Sequence, residues 1–225
     1  MKHILGLSVA LAGLAALPAQ GAGAYSETWD GQGNLAGWQA NTIHSTVVNP
    51  GAGGNPGGYL LSRRSGDFSI GADTELAAAT GSFAGAPKWT ASVDLNEFEG
   101  DAGPVWLRFR FQDSTYNGWR YMLSDGLATD AWATYSVAFR PTWSDAEAMA
   151  AGWQTDLPGG AGGVSWAQTM GDVYTTEVRF DGSRTLLVGI DNFMLTPVPE
   201  PGIWALMLAG MPGLGWLRSR RKAAG

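Results

Sequence analysis

The chain has 225 residues, among them thirty-three glycines, eleven tryptophans, two histidines and no cysteine, and its formal charge is −6. The charge is split: residues 25–197 carry nine Lys or Arg against nineteen Asp or Glu, a net −10, while the other five basic residues sit at the two ends. This composition excludes disulfides and thiolate chemistry, leaves His44 as the body's single histidine and so no two-histidine zinc site, and argues against nucleic acid and anionic membrane surfaces as partners.

Residues 1–24 read as a signal peptide. Lys2 and His3 form a short polar start, residues 4–17 are apolar, and Ala22-Gly23-Ala24 is an A-x-A cleavage site. Cleavage between Ala24 and Tyr25 leaves residues 25–197 as the folding body, one domain's worth of chain.

The body shows short alternating runs and almost no helical periodicity. A first strand is expected at residues 25–29, followed by the turn Asp30-Gly31-Gln32-Gly33. Residues 43–48 are β-branched and strand-like. Residues 50–58 hold five glycines and two prolines and read as a flexible connection. Further strands are expected at residues 59–61 and 90–98, where Ala91, Val93 and Leu95 share one face. The clearest strand is residues 105–112: Val105, Leu107, Phe109 and Phe111 face one way, and Trp106, Arg108, Arg110 and Gln112 the other. Residues 119–123 and 132–139 continue the pattern. One helix interrupts, with Ser144 and Glu147 forming a capping box and Gly152 stopping it. Two last strands, 173–180 and 185–195, flank Asp181-Gly182, a pair that favours a tight hairpin. About ten short strands separated by turns predict an all-β, antiparallel two-sheet sandwich with one short helix.

Residues 198–225 form a tail in three parts. Val198-Pro199-Glu200-Pro201 comes first, then sixteen uncharged, mostly apolar residues, then a cluster of Arg218, Arg220, Arg221 and Lys222. The prolines hold the motif extended, and the basic cluster is retained on the cytoplasmic side. This order at the end of a chain resembles the PEP-CTERM sorting signal. The resemblance implies a Gram-negative exported protein that passes through the inner membrane. There an exosortase, a membrane-embedded transpeptidase, recognises Pro199, Glu200 and Pro201 and removes the tail. The expected destination is the cell surface or the exopolysaccharide matrix. The alternative is a permanent anchor, against which the apolar run is short of the roughly 20 residues a spanning helix needs.

The body carries a second resemblance. Gly37-Trp38, Gly57-Gly58-Tyr59-Leu60, Val93-Asp94-Leu95, Gly118-Trp119 and Gly189-Ile190-Asp191-Asn192-Phe193 are similar to elements of laminin-B-type and carbohydrate-binding-module jelly rolls. Residues 143–166 depart from that pattern. The resemblance implies a jelly-roll-like sandwich that binds extracellular polysaccharide and is not an enzyme. It also puts a structural calcium ligand at Asp191, with Glu27 or Asp30 of the first strand nearby, since oxygen ligands suit calcium. The alternative is that Asp191 and Asn192 bond to backbone at a strand bulge.

Three residues are candidates for holding a glycan. Trp106 alternates away from the core row, beside Arg108, and aromatic faces stack on the apolar faces of sugar rings. Trp119 is the third. The competing reading of each tryptophan is core packing. Glu97 and Glu99 stand about 7 Å apart on an extended chain by strand rise, a spacing open to glycoside hydrolysis; a strand end entering an acidic turn explains them as well. Two other functions therefore compete with glycan binding: a glycan-active enzyme and a structural matrix protein without a specific ligand.

Overall fold

The structure is a computed structural model and describes residues 21–64, 68–112, 117–156 and 163–199. Among the described residues twelve strands form two antiparallel sheets packed face to face. The first sheet runs β3 (Ser45–Val48), β4 (Leu60–Arg64), β12 (Leu187–Pro197), β6 (Trp89–Glu99), β9 (Ala133–Phe139). The strand β1 (Tyr25–Glu27) also pairs with β12, opposite Phe193 to Leu195. The second sheet runs β10 (Trp153–Thr155), β8 (Gly118–Ser124), β7 (Val105–Phe111), β11 (Val173–Phe180), β5 (Ile70–Thr74), β2 (Trp38–Ala40). The all-β antiparallel sandwich expected from the strand pattern, and jelly-roll-like by the resemblance, is the fold.

Alternation decides which side chains fill the space between the sheets. Ala91, Val93 and Leu95 of β6 meet Val105, Leu107 and Phe109 of β7, and all six are buried. Apolar burial of this kind is the main favourable term in folding. Aromatic rings do much of the filling. Phe83, Phe109, Phe139, Trp153 and Trp166 form a chain with centroids 4.9 to 5.7 Å apart. Most of these contacts are tilted or edge-on, the arrangement the ring quadrupole favours.

The helix expected after Ser144 is present as α1 (Asp145–Ala150), with the Ser144–Glu147 capping box closed in both directions. A second helix, α2 (Trp166–Gly171), was not expected. It has its own box, Ser165 with Gln168, and the backbone N of its first residue, Trp166, donates to the Asp145 carboxylate of α1 at 2.7 Å. It begins at the last residue of the stretch that fits the jelly-roll pattern least.

The hairpin expected at Asp181-Gly182 does not form. β11 lies in the second sheet and β12 in the first, so residues 181–186 cross between layers. The crossing rests on the loop before β7: Ser183 N donates to the Asp101 carbonyl at 2.7 Å and Asp181 N to that of Pro104 at 3.1 Å. Gly182 fits there because a Cβ would sit 1.8 Å from the Asp101 carbonyl oxygen. An Asp-Gly pair permits a tight turn, but the core decides which sheet each apolar strand joins.

The glycine-rich residues 50–58 are pinned, against the flexible connection expected. Asn49 Nδ2 donates to the carbonyls of Trp29, Gly31 and Asn34. Asn55 ties the loop to the outer side of the first sheet, through its backbone N to Asp191 (2.6 Å) and its side chain to Asp94 (3.0 Å).

Candidate functional site

The outward side of the second sheet carries the most concentrated polar chemistry of the molecule. Strand register lines up one residue from each of its six strands: Gln39, Asp73, Glu177, Arg108, Arg120 and Gln154. At the usual strand spacing this row is about 24 Å long. A second row, Gly71, Arg179, Trp106 and Met122, runs beside it. A half-solvated sheet places polar residues outward, but these do not simply face water. Asp73, Glu177 and Arg108 are buried, while Gln39 and Gln154 at the two ends are exposed.

Ion pairs make that burial tolerable. Arg108 donates to Asp156 through Nε (2.9 Å) and Nη2 (2.5 Å), and to Glu177 through Nη1 (2.5 Å). Asn41 gives Glu177 a further bond of 2.6 Å. Arg110 reaches Asp73 at 2.9 Å, and the Arg120 guanidinium lies 3.9 Å from Asp156. Three arginines thus face three carboxylates, and the centre of the sheet carries no net charge. Burial works against the Arg108 charge, but Glu177 and Asp156 outweigh it and leave its pKa above the ordinary value. Asp73 shifts the other way. Burial first, then the nearby Glu177, push its carboxyl up to about 6, with Arg110 offsetting part of the rise. Four buried atoms on this side, Asp73 Oδ1, Arg110 Nε, Arg120 Nε and Thr175 Oγ1, have no hydrogen-bond partner among the described residues.

The three glycan candidates are placed differently from the simple expectation. Trp106 lies on the outward side, as alternation required, but is only 7% exposed. Its indole N–H donates to Asp181 at 2.9 Å, and the Arg120 guanidinium covers its ring. Arg108 is sealed in its ion pairs. Trp119 is 0% exposed. It faces the core, donates to the Val164 carbonyl at 3.0 Å and meets Trp166 edge-on, so it has no ring face to offer a ligand. Glycine at 118 takes the outward position on β8, which turns Trp119 inward. In the second row, Met122 is 41% exposed.

The carboxylates of the expected calcium site are engaged otherwise. Asp191 accepts from the backbone N of Asn55 and of Asn192, at a register shift in β12, which matches the bulge alternative. Burial raises its pKa, and these two backbone bonds work against the rise. Glu27 accepts from the backbone N of Thr28 and Trp29, and Asp30 from the Thr28 hydroxyl. Among the described residues no three acidic or histidine side chains group as metal ligands. Glu97 is buried and accepts from Ala102 N (2.6 Å) and the Thr129 hydroxyl (3.0 Å). It braces the turn after β6, with no access to a substrate.

Tyr25 opens β1, immediately after the expected cleavage point. Of the sorting motif, Glu200 and Pro201 lie outside the described residues, as does the apolar run after them. Among the described residues no helix is long and apolar enough to cross a membrane.

The residues that make up the polar row were mostly missed in the sequence. Asp73 and Glu177 sit in short or unremarkable strands, and Asp156, which pairs with Arg108, follows the three-residue β10. The one available signal was the alternation of Glu177 and Arg179 with the apolar residues of β11, which puts charges on one side of a central strand.

No protein-family model and no curated protein matches the chain. Solved structures do. An exo-β-agarase is similar with a TM-score of 0.53 and 11% identity over 80% of this chain, which spans 26% of that chain. The xylan-binding domain of carbohydrate-binding module family 22 gives 0.50 and 15%, with 77% of this chain and 93% of that one covered. The family 11 carbohydrate-binding module from Clostridium thermocellum, solved with a β-1,3-1,4-mixed-linked tetrasaccharide, gives 0.50 and 13%, covering 80% and 99%. At these identities the likeness is one of fold: this chain shares its two-sheet sandwich with carbohydrate-binding modules.

Proposed function

We propose that this chain is an exported, non-enzymatic glycan-binding module that acts at the cell surface or in an exopolysaccharide matrix. The polar row across all six strands of the second sheet carries the reading. A row about 24 Å long, with exposed amides at its two ends and the half-buried Arg120 between them, suits the hydroxyls of an extended polysaccharide. Its balanced charges suit a neutral one. The fold likeness to modules solved as xylan- and mixed-linkage-glucan-binding domains supports the same class. Binding relies here on hydrogen bonding more than on a flat aromatic platform, because Trp106 is covered by Arg120.

Sorting is the second half of the proposal and rests on Pro199-Glu200-Pro201, the apolar run and the basic end. Mass spectrometry of the protein in an exosortase-positive host tests it. Surface protein should lack residues 218–222, and Glu200→Ala should leave the tail on and the protein in the inner membrane. Surface protein that retains residues 218–222 would refute the sorting half. A screen of the 25–197 segment by affinity electrophoresis against neutral and acidic polysaccharides tests the binding half.

A further inference from the structure

On the outward side of the second sheet, Arg120 stands between two docking places. Alternation along β8 turns Gly118, Arg120 and Met122 outward, about 7 Å from one to the next. Met122 pairs with Trp106 of β7, and the Gly118 carbonyl accepts from the backbone N of Asp156 at 3.0 Å. Trp106 and Asp156 therefore flank Arg120 from opposite directions along the strand. The guanidinium has taken the first place, 4.2 Å from the centroid of the Trp106 ring. Its Nε lies 3.9 Å from Asp156 Oδ1, too far for a hydrogen bond. That buried Nε has no partner among the described residues. Both Arg108 bonds to Asp156 go to Oδ2, so Oδ1 is the oxygen turned toward Arg120.

The ring is fixed and its cover is not. Trp106 Nε1 donates to Asp181 Oδ2 at 2.9 Å, and Asp181 Oδ1 takes the Arg179 Nε at 2.8 Å, so the indole is held by its edge. Arg120 lies at the surface, with 28% of its side chain exposed. A buried donor without a partner is costly, and a displacement of about 1 Å would give Nε its acceptor. We infer that Arg120 is a displaceable cover: a neutral pyranose ring stacks on Trp106 in place of the guanidinium, which closes onto Asp156. This role rests on glycan binding at this side of the sheet. Side-chain changes of this kind are common at interfaces. Hydrogen bonds along the row lead, and stacking adds what remains once the cation–π contact is given up.

Two measurements on the 25–197 segment test it, with oligosaccharides of xylan and of mixed-linkage glucan as ligands. In fluorine NMR of protein labelled with fluorotryptophan, the Trp106 signal is assigned by its absence from Trp106→Phe. It should shift when the wild type is saturated with ligand, while the signal of Trp119, sealed in the core, stays in place. Calorimetry then gives the Trp106→Ala loss in two backgrounds. Stacking on an aromatic platform is worth roughly tenfold in affinity, and the cover roughly fivefold. Trp106→Ala should therefore weaken binding about twofold in the wild type and about tenfold in Arg120→Ala. Whatever Arg120 itself donates to the ligand cancels in that cycle. A Trp106 signal that stays put with ligand bound, or an equal loss in the two backgrounds, would overturn the cover and leave glycan binding standing. No heat with either ligand, for wild type or Arg120→Ala, and no retardation of either by xylan or mixed-linkage glucan would refute glycan binding and the cover with it.

Discussion

The Arg120 guanidinium lies 4.2 Å from the centroid of the Trp106 ring, on the outward side of the second sheet. The contact joins two neighbouring strands, and it occupies the ring face that a sugar would otherwise use. A cation over an indole is worth about 0.5–2 kcal/mol, depending on how far the pair is desolvated. Arg120→Ala should therefore cost roughly 1 kcal/mol in urea denaturation, and it should make Trp106 more accessible to a collisional quencher of fluorescence. Unchanged quenching would show that the ring is not covered in solution.

Arg108 is the cation on which the buried charges depend. Removing one partner of a buried pair is strongly destabilising, because it leaves uncompensated charge behind. Arg108→Met removes the closest cation from both Asp156 and Glu177 and should cost roughly 3–5 kcal/mol. A loss below about 1 kcal/mol would mean that the network is solvated.

Asp73 sets a pH dependence with a definite sign. Its carboxyl is raised from 3.8 to about 6 in the folded protein. A raised folded pKa contributes stability that is fully present below 3.8 and is lost as pH rises through about 6. The shift corresponds to about 3 kcal/mol. Asp73→Asn removes this term, so the variant should gain on the wild type between pH 4 and pH 7.5. Urea denaturation at those two pH values checks it; the same difference at both would contradict it.

Leu107 tests the assignment of sides. It is buried between the sheets on β7, and Leu107→Asp places a carboxylate there without a partner. The 25–197 segment carrying it should lose its strand-dominated circular dichroism spectrum. A folded variant would refute the inward placement.

Much of this fold was legible because alternation is a strong signal where one side is buried and the strand is long. It gave the inward row of β7, the inward row of β6 and the outward position of Trp106. The strands β2, β5 and β10 span three to five residues, too short for a period of two to stand out. The site was less legible. Glycine at 118 turns Trp119 into the core, an orientation set by pairing with β7 rather than by local sequence. The partners of Arg108 lie 48 and 69 residues away along the chain, so only the assembled sheet brings them together. Asp181-Gly182 shows the opposite error: local turn preference pointed to a hairpin, and the layering of the core overrode it.

Affinity electrophoresis of the 25–197 segment in gels containing xylan or mixed-linkage glucan tests the central claim most directly. The wild type should be retarded by at least one neutral polysaccharide, and nearly equally at low and high salt, since the polar row carries no net charge. Combined replacement of Gln39, Arg179 and Gln154 by alanine should abolish the retardation while the melting temperature stays within a few degrees of the wild type. No retardation by any neutral polysaccharide, or a triple variant retarded as strongly as the wild type, would contradict the account.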